Sequence, residues 1–253
     1  MSLIDRPVHL SRSAFLTAWQ LAQLGELPIV VDPDLVYRTE EAAAVLRRHD
    51  LAALYDLGLA TSGGELTRPW RATLDVLAHP GREFYAWSNF READNDGALL
   101  VAESGRDAVR LITDHRSIRL EPVASRESAE SLVAALPDRD AARTTPMRIP
   151  KAHYDDNGRE YESDDLLAEV DHEVDELRHL MRAGRDAAHQ LYAATHDGAG
   201  LRFRSTPLSV LDLTGRGRVL TFVEHTGREA WVNVLPGHRA NLVEALRRAG
   251  REC

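Results

Sequence analysis

The sequence predicts an α+β fold of two quasi-two-fold-related halves, each an antiparallel β-meander followed by a helix, with additional packing helices. Three observations carry that expectation. Apolar runs of strand length alternate with polar, Gly- and Asp-containing turns over 84–120 and again over 206–235. Segments with helical periodicity precede both regions. Finally, Ile118-Arg119-Leu120-Glu121-Pro122-Val123 and the helix after it, with Leu132, Val133 and Leu136, are echoed by Trp231-Val232-Asn233-Val234-Leu235-Pro236 and a terminal helix. A meander buries one face, so each half needs a covering layer. Two halves about a pseudo-two-fold, with helices packed on the sheets, supply it.

Residues 6–10 alternate weakly and read as an edge strand. Ser11 or Ser13 caps a short helix with Phe15, Trp19 and Ala22 on one stripe, stopped by Gly25 and Pro28. Residues 27–31 form a brief apolar run. Thr39 opens a helix to Arg48 with Ala43 and Leu46 facing inward, and Asp50 caps a separate one (Leu51, Leu54, Tyr55) that ends at Gly58. Thr67, with Pro69 in the first turn, opens a fourth, in which Trp70, Leu74 and Leu77 recur until His79-Pro80-Gly81. Strands follow at 84–90, 98–103, 108–113 and around Ile118 and Leu120, the first two joined by a polar hairpin loop. Ser125 caps a helix that Pro137 ends.

Residues 137–163 hold Pro137, Pro146, Pro150 and many charges, and read as a connector. A long helix runs from Asp164 and Asp165 to about Ala183, with Leu166, Leu167, Val170, Val174, Leu177 and Met181 as its apolar stripe. Strands at 188–195, 206–213, 218–224 and 230–235 then lead through Pro236 into a helix that buries Leu242, Val243 and Leu246. The organisation is an N-terminal half over 1–136, a charged connector over 137–163 and a C-terminal half over 164–253, integrated in one domain.

Hydrophobic residues make up 43% of the 253, enough for a core, so the chain is globular and not disordered. A formal net charge of −9 argues against broad neutralisation of nucleic-acid phosphates. Cys253 is the sole cysteine, which excludes a disulfide framework and Cys-ligated metal and suits a reducing compartment. Residues 1–10 carry Asp5, Arg6 and His9 and lack the apolar core of a signal peptide. No stretch approaches the roughly 20 apolar residues that span a bilayer. These features predict a cytosolic protein.

Searches for chemistry return little. The long helix carries two Glu-x-x-His pairs, Glu169 with His172 and Glu176 with His179, near one helix face. Carboxylate-bridged metal sites place such motifs on different helices, so a solvated acidic face is the better reading and no metal is expected. The His-Glu-x-x-His zinc pattern fails because Glu176 stands where the second His is needed. Gly215-Arg216-Gly217 lies between strands and reads as a turn, not a dinucleotide fingerprint. No local spacing nominates a Ser–His–Asp triad, so no catalytic residue and no cofactor are assigned. A winged-helix DNA-binding regulator is the main alternative, on the helices and Gly-rich turn from Thr39 to Leu66. Glu40, Glu41, Asp50, Asp56 and Glu65 leave that segment no basic face. A metal-dependent enzyme ranks below it. A strand-rich repeat with no visible chemistry suits a protein that binds other proteins through an apolar patch.

Three stretches of the C-terminal half stand in a recognisable order: Gln190-Leu191-Tyr192-Ala193-Ala194, then Pro207-Leu208-Ser209-Val210-Leu211-Asp212-Leu213-Thr214-Gly215-Arg216-Gly217-Arg218, then Trp231-Val232-Asn233-Val234-Leu235-Pro236. They resemble the EspG family, ESX (type VII) secretion-associated proteins of actinobacteria. In the N-terminal half 54–59, Gly64-Glu65-Leu66 and 74–80 agree, so the resemblance spans about 8–249. It implies a cytosolic chaperone without enzymatic activity that grips the hydrophobic helical tip of a PE–PPE heterodimer or another helical ESX substrate. It further implies that the loop between the second and third strands touches the client. By position that loop is Arg91, Glu92, Ala93, Asp94, Asn95, Asp96 and Gly97, with the helix from Asp164 contributing more weakly. The connector at 137–163 carries no motif of the family.

Overall fold

The computed structural model describes residues 2–33, 36–155 and 165–253, with the backbone alone for 93 and 165–171. The N-terminal half supplies β1 (Val8–Ser11), β2 (Arg82–Phe90), β3 (Gly97–Ser104), β4 (Asp107–Thr113) and β5 (Ser117–Ala124). After it come β6 (Met147–Pro150), β7 (Arg185–His196), β8 (Arg202–Arg204), β9 (Leu208–Leu213), β10 (Gly217–Thr226) and β11 (Glu229–Pro236). The helices are α1 (Arg12–Ala22), α2 (Glu40–Asp56), α3 (Arg68–Ala78), α4 (Ser128–Ala134), α5 (Lys151–Asp155), α6 (Asp165–Arg182) and α7 (Arg239–Ala249).

These strands form one antiparallel sheet in the order β1-β5-β4-β3-β2-β7-β9-β10-β11-β6, with β8 beside β7. The expected repeat is there: α3-β2-β3-β4-β5-α4 is followed by α6-β7-β9-β10-β11-α7, and the strand order reads alike outward from the β2–β7 pair in both directions. The two meanders share a single sheet, joined edge to edge where separate sheets were expected. Their joint is the longest register in the molecule's centre, Arg82 opposite Thr195 through Phe90 opposite Ala187.

Alternation along these strands sorts side chains into two layers. On one face Tyr85, Leu100, Val109, Leu111, Ile118 and Leu120 pack under α1, α2 and α3. Farther along that face Leu211, Leu213, Val219, Val232 and Val234 pack with Val174, Leu177 and Leu180 of α6. On the opposite face Phe84, Ala86, Leu99, Val101, Leu191, Val210 and Leu220 meet α4 and α7. The predicted stripe residues Leu166, Leu167 and Val170 lie outside the described side chains.

Local rules account for most boundaries. Ser11 caps α1 by accepting the Ala14 N–H at 3.1 Å, and the helix ends one residue after Ala22, where Gln23 takes a left-handed φ of 56°. Gly25 and Pro28 therefore lie beyond a stop already made. Pro122 sits inside β5 because β1 pairs only as far as Leu120, leaving that edge without a partner needing its N–H. Ser125 does not cap α4; it opens a 3₁₀ turn over Ser125–Glu127, and its carbonyl accepts the Ser128 hydroxyl at 2.9 Å.

Three expectations need correction. Residues 40–56 form one helix, not two, because Asp50 is an interior position facing α1. Its carboxylate accepts the Ser13 hydroxyl at 2.8 Å and the Thr17 hydroxyl at 2.7 Å. Ala43 is exposed, not inward, as is most of the first part of α2. The stretch over 39–66 is thus a single helix, a Gly58 turn and an isolated Ala60–Leu66 bridge, without a helix-turn-helix. Last, the connector contributes β6 on the sheet's edge, where Met147 and Ile149 are buried and Ile149 pairs with Val232. Residues 156–163 of it lie outside the described residues.

Asp50 is 1% exposed, so removing its carboxylate strands two hydroxyls at the α1–α2 contact. Asp50→Ala is expected to cost about 1–3 kcal/mol in urea unfolding, with the sheet's far-UV signal retained.

Candidate functional site

The loop after β2 emerges at one end of the sheet and is tied down at both of its ends. The Arg91 N–H donates to the Asp186 carbonyl at 2.9 Å, continuing the β2–β7 ladder one residue into the loop. A 3₁₀ turn over Ala93–Asn95 follows, in which the Asn95 N–H donates to the Glu92 carbonyl at 3.0 Å. Asp96 then accepts the Phe90 N–H at 2.7 Å, closing the loop across its neck. Gly97 opens β3 so close to the Thr113 carbonyl that a Cβ there would lie 2.7 Å from its oxygen, which restricts the position to glycine.

The candidate residues therefore divide into two groups. Asp96 and Gly97 are half-buried and fix the loop. Arg91, Glu92, Asp94 and Asn95 are exposed on its outside. The side chain of Ala93 lies outside the described atoms. Two grooves flank the loop. One, of about 220 Å³, is lined by Arg12, Val30, Trp87, Asn89, Asp114 and His115. The other, of about 900 Å³, runs between residues 139–144, the β9–β10 turn and α6, with Arg139, Arg143, His179 and Arg216 along it. Between loop and second groove stands Asp186, which accepts the Thr214 hydroxyl at 2.6 Å and pairs with Arg139. The Thr214 hydrogen bond, then Arg139, hold its carboxyl below the ordinary carboxylate range.

Beneath the loop lies a buried polar chain that the sequence did not single out. Ser88 Oγ and His189 Nδ1 are 2.8 Å apart, and His189 Nε2 is 3.4 Å from Asp212 Oδ2. Arg218 donates to both Asp212 oxygens, at 2.6 and 2.8 Å, and to the Pro137 carbonyl at 3.0 Å. The Phe90 ring stands edge-on to His189 with centroids 5.6 Å apart, linking the chain to the loop's neck. The only signal available was a charge at an inward strand position, Asp212 amid Leu208-Ser209-Val210-Leu211-Asp212-Leu213.

This chain superficially matches a nucleophile, base and acid, yet its geometry serves structure. His189 is fully buried, Ser88 nearly so, and the carboxylate that would orient the ring is committed to Arg218. Burial raises the Asp212 carboxyl, and the Arg218 hydrogen bonds, with help from His189, outweigh it and leave it well below the ordinary range. The clamp also fastens residues 137–142: Arg218 N–H donates to the Asp140 carbonyl at 2.7 Å, and the Ala142 N–H to the Arg218 carbonyl at 2.8 Å.

The two Glu-x-x-His pairs do not converge. His172 is exposed, the Glu169 side chain lies outside the described atoms, and His179 Nε2 accepts from Arg216 at 2.8 Å. Among the described residues, no three His, Cys, Asp or Glu side chains group as metal ligands would. Among them too, no helix is long and apolar enough to cross a membrane.

Comparison with known proteins gives two findings. The model of the EspG family matches residues 11–248. Among solved structures, the Mycobacterium tuberculosis type VII secretion system chaperone EspG5, solved in complex with the PE25-PPE41 dimer, matches with a TM-score of 0.69 at 16% identity. That match covers 96% of this chain and 95% of that one. No curated protein matches in sequence.

Arg218→Ala leaves Asp212 buried without its guanidinium and is expected to cost about 3–5 kcal/mol in urea unfolding, whereas Arg218→Met with Asp212→Leu recovers most of it. Asp212 titrates below its unfolded value of about 3.9, so its stabilisation is present above that pH and fades as pH falls. The gap between wild type and Arg218→Ala should therefore narrow in acid.

Proposed function

The chain belongs to the EspG family, and on that ground we propose that it is a cytosolic chaperone of a type VII (ESX) secretion system. In this reading it binds the hydrophobic helical tip of a PE–PPE heterodimer, or of another helical ESX substrate, keeps it soluble and directs it to export. The family match over residues 11–248 carries the reading. The shared fold with EspG5, a chaperone solved with its PE25-PPE41 dimer, supports it.

The binding role needs no chemistry of the chain's own, and the features described above fit that. The Ser88–His189–Asp212 chain is sealed and clamped, and the Glu-x-x-His pairs do not converge on a site. We assign client contact to the β2–β3 loop, whose exposed Arg91, Glu92, Asp94 and Asn95 project from a fixed neck between two grooves. A loop already held in shape loses little conformational entropy when it meets a partner.

Co-expression with a PE–PPE pair from the same organism's ESX system is expected to yield an equimolar ternary complex on gel filtration; clients that all stay insoluble or unbound refute the assignment. Asp96 braces the Phe90 N–H, so the loop is probed at its outward carboxylates instead. Glu92→Arg with Asp94→Arg should weaken client binding roughly tenfold by titration calorimetry, about 1.4 kcal/mol, with unchanged thermal unfolding. Unaltered affinity removes the loop from the interface.

A further inference from the structure

Asp186 lies where the β2–β3 loop, the connector and the β9–β10 turn meet. Strand β7 pairs Arg185 with Leu213 and Ala187 with Asp212, so Asp186 is the extra residue of a β-bulge against β9. A bulged residue is left out of the ladder on that side, and the neighbouring strand no longer fixes its peptide. The side chain supplies the missing hold. Its carboxylate accepts the Thr214 hydroxyl at 2.6 Å and pairs with Arg139, which also donates to the Leu213 carbonyl at 3.3 Å. Toward β2, on the other side of the strand, the Asp186 carbonyl accepts the Arg91 N–H at 2.9 Å.

The bonds around the loop act in different ways. Those from Phe90 to Asp96 and from Asn95 to Glu92 close it on itself, so they keep its shape without setting its direction. Direction comes from the anchors at its ends. At the β3 end the anchor is Gly97, seated against the Thr113 carbonyl; at the β2 end it is the Arg91–Asp186 bond. The carbonyl in that bond turns with the peptide that the Asp186 carboxylate pins. Without the carboxylate the bulge can rock, and the closed loop pivots about Gly97 with Glu92 and Asp94 aboard. The same carboxylate holds Arg139, which lines the larger groove, so one side chain sets loop and groove wall relative to each other.

We propose that Asp186 is a positioning residue for client recognition: without touching the client, it fixes the bearing of Glu92 and Asp94 relative to the groove wall at Arg139. Recognition here is that of the chaperone reading, on which the inference rests.

The test has two arms, both on the full chain. In the client-free protein, Asp186→Ala should speed amide hydrogen exchange at Arg91 by roughly tenfold or more, while the Phe90 amide, closed within the loop by Asp96, stays protected. With a PE–PPE client, titration calorimetry should show Asp186→Ala weakening binding roughly fivefold, with thermal unfolding little changed because the side chain is partly exposed. Glu92→Arg with Asp94→Arg, expected to cost the wild type roughly tenfold, should cost the Asp186→Ala chain roughly threefold or less, since a pivoting loop turns its reversed charges away. Thr214→Val should reproduce part of the loss and add nothing to Asp186→Ala. Unchanged exchange at Arg91 overturns the proposal, as does exchange that rises equally at Phe90, which marks general loosening. Losses from Asp186→Ala and from the loop variant that simply add overturn it too, because Asp186 then meets the client on its own account. A wild type that binds no client fails the chaperone reading itself, and the two failures are told apart because the exchange result at Arg91 needs no client.

Discussion

The antiparallel pairing of β2 with β7 is the constraint from which the rest of the molecule follows. It places Tyr85 directly across from Tyr192, and the two rings stack with centroids 5.1 Å apart at 12° while Trp87 closes on both edge-on. Arg202 and Arg204 of β8 lie over the Tyr85 and Tyr192 faces, and Glu83 takes the Arg202 guanidinium and the His196 ring. On the reverse face the same register stacks Phe84, Ala86, Leu191 and Ala193 beneath α4 and α7. A slip of one residue would exchange these two sets, burying Trp87 and Tyr192 under short helices and presenting Phe84 and Leu191 to the other side. The pairing also decides where the β2–β3 loop emerges, because the Arg91–Asp186 bond extends this ladder into the loop.

Joining two meanders edge to edge doubles the sheet and leaves two outer edges to close. Both are closed in the same way, by a four-residue strand from outside the meander: β1 beyond β5 and β6 beyond β11. Short edge strands flanked by proline, Pro7 before β1 and Pro146 and Pro150 at β6, offer poor templates for a further strand. The helical roofs break the symmetry. Three helices cover the N-terminal half of one face, and α6 covers the C-terminal half of it.

The repeated meander was legible because it is written in local terms: alternation, Gly turns at 105 and 215–217, and a Pro near the end of each last strand. The family resemblance rested on the same ordered segments. What escaped reading was set by tertiary partners. Asp50 looks like a cap in isolation, and only the hydroxyls of Ser13 and Thr17 make an interior position tolerable to it. β6 is four residues among prolines and charges, and its strand character comes from Val232 and Val234 alongside. The Asp212–Arg218 clamp joins residues six apart, but its purpose, holding residues 137–142 and the loop's neck, becomes visible once His189 and Phe90 are in place. The loop's position between two strands was readable; its bracing by Asp96 and Gly97 was not, because both depend on a third strand, β4, and on the chain's return.

That bracing bears on how such a loop works. A flexible acidic loop would meet any partner at the expense of ordering its backbone, and its charges would be averaged over many directions. Here the backbone is fixed by the Phe90–Asp96 and Asn95–Glu92 bonds and by the close approach of Gly97 to β4, so Glu92 and Asp94 keep one bearing relative to the sheet. Fixed charges discriminate between partners more than they add affinity, since a mismatched charge meets a carboxylate that cannot swing away.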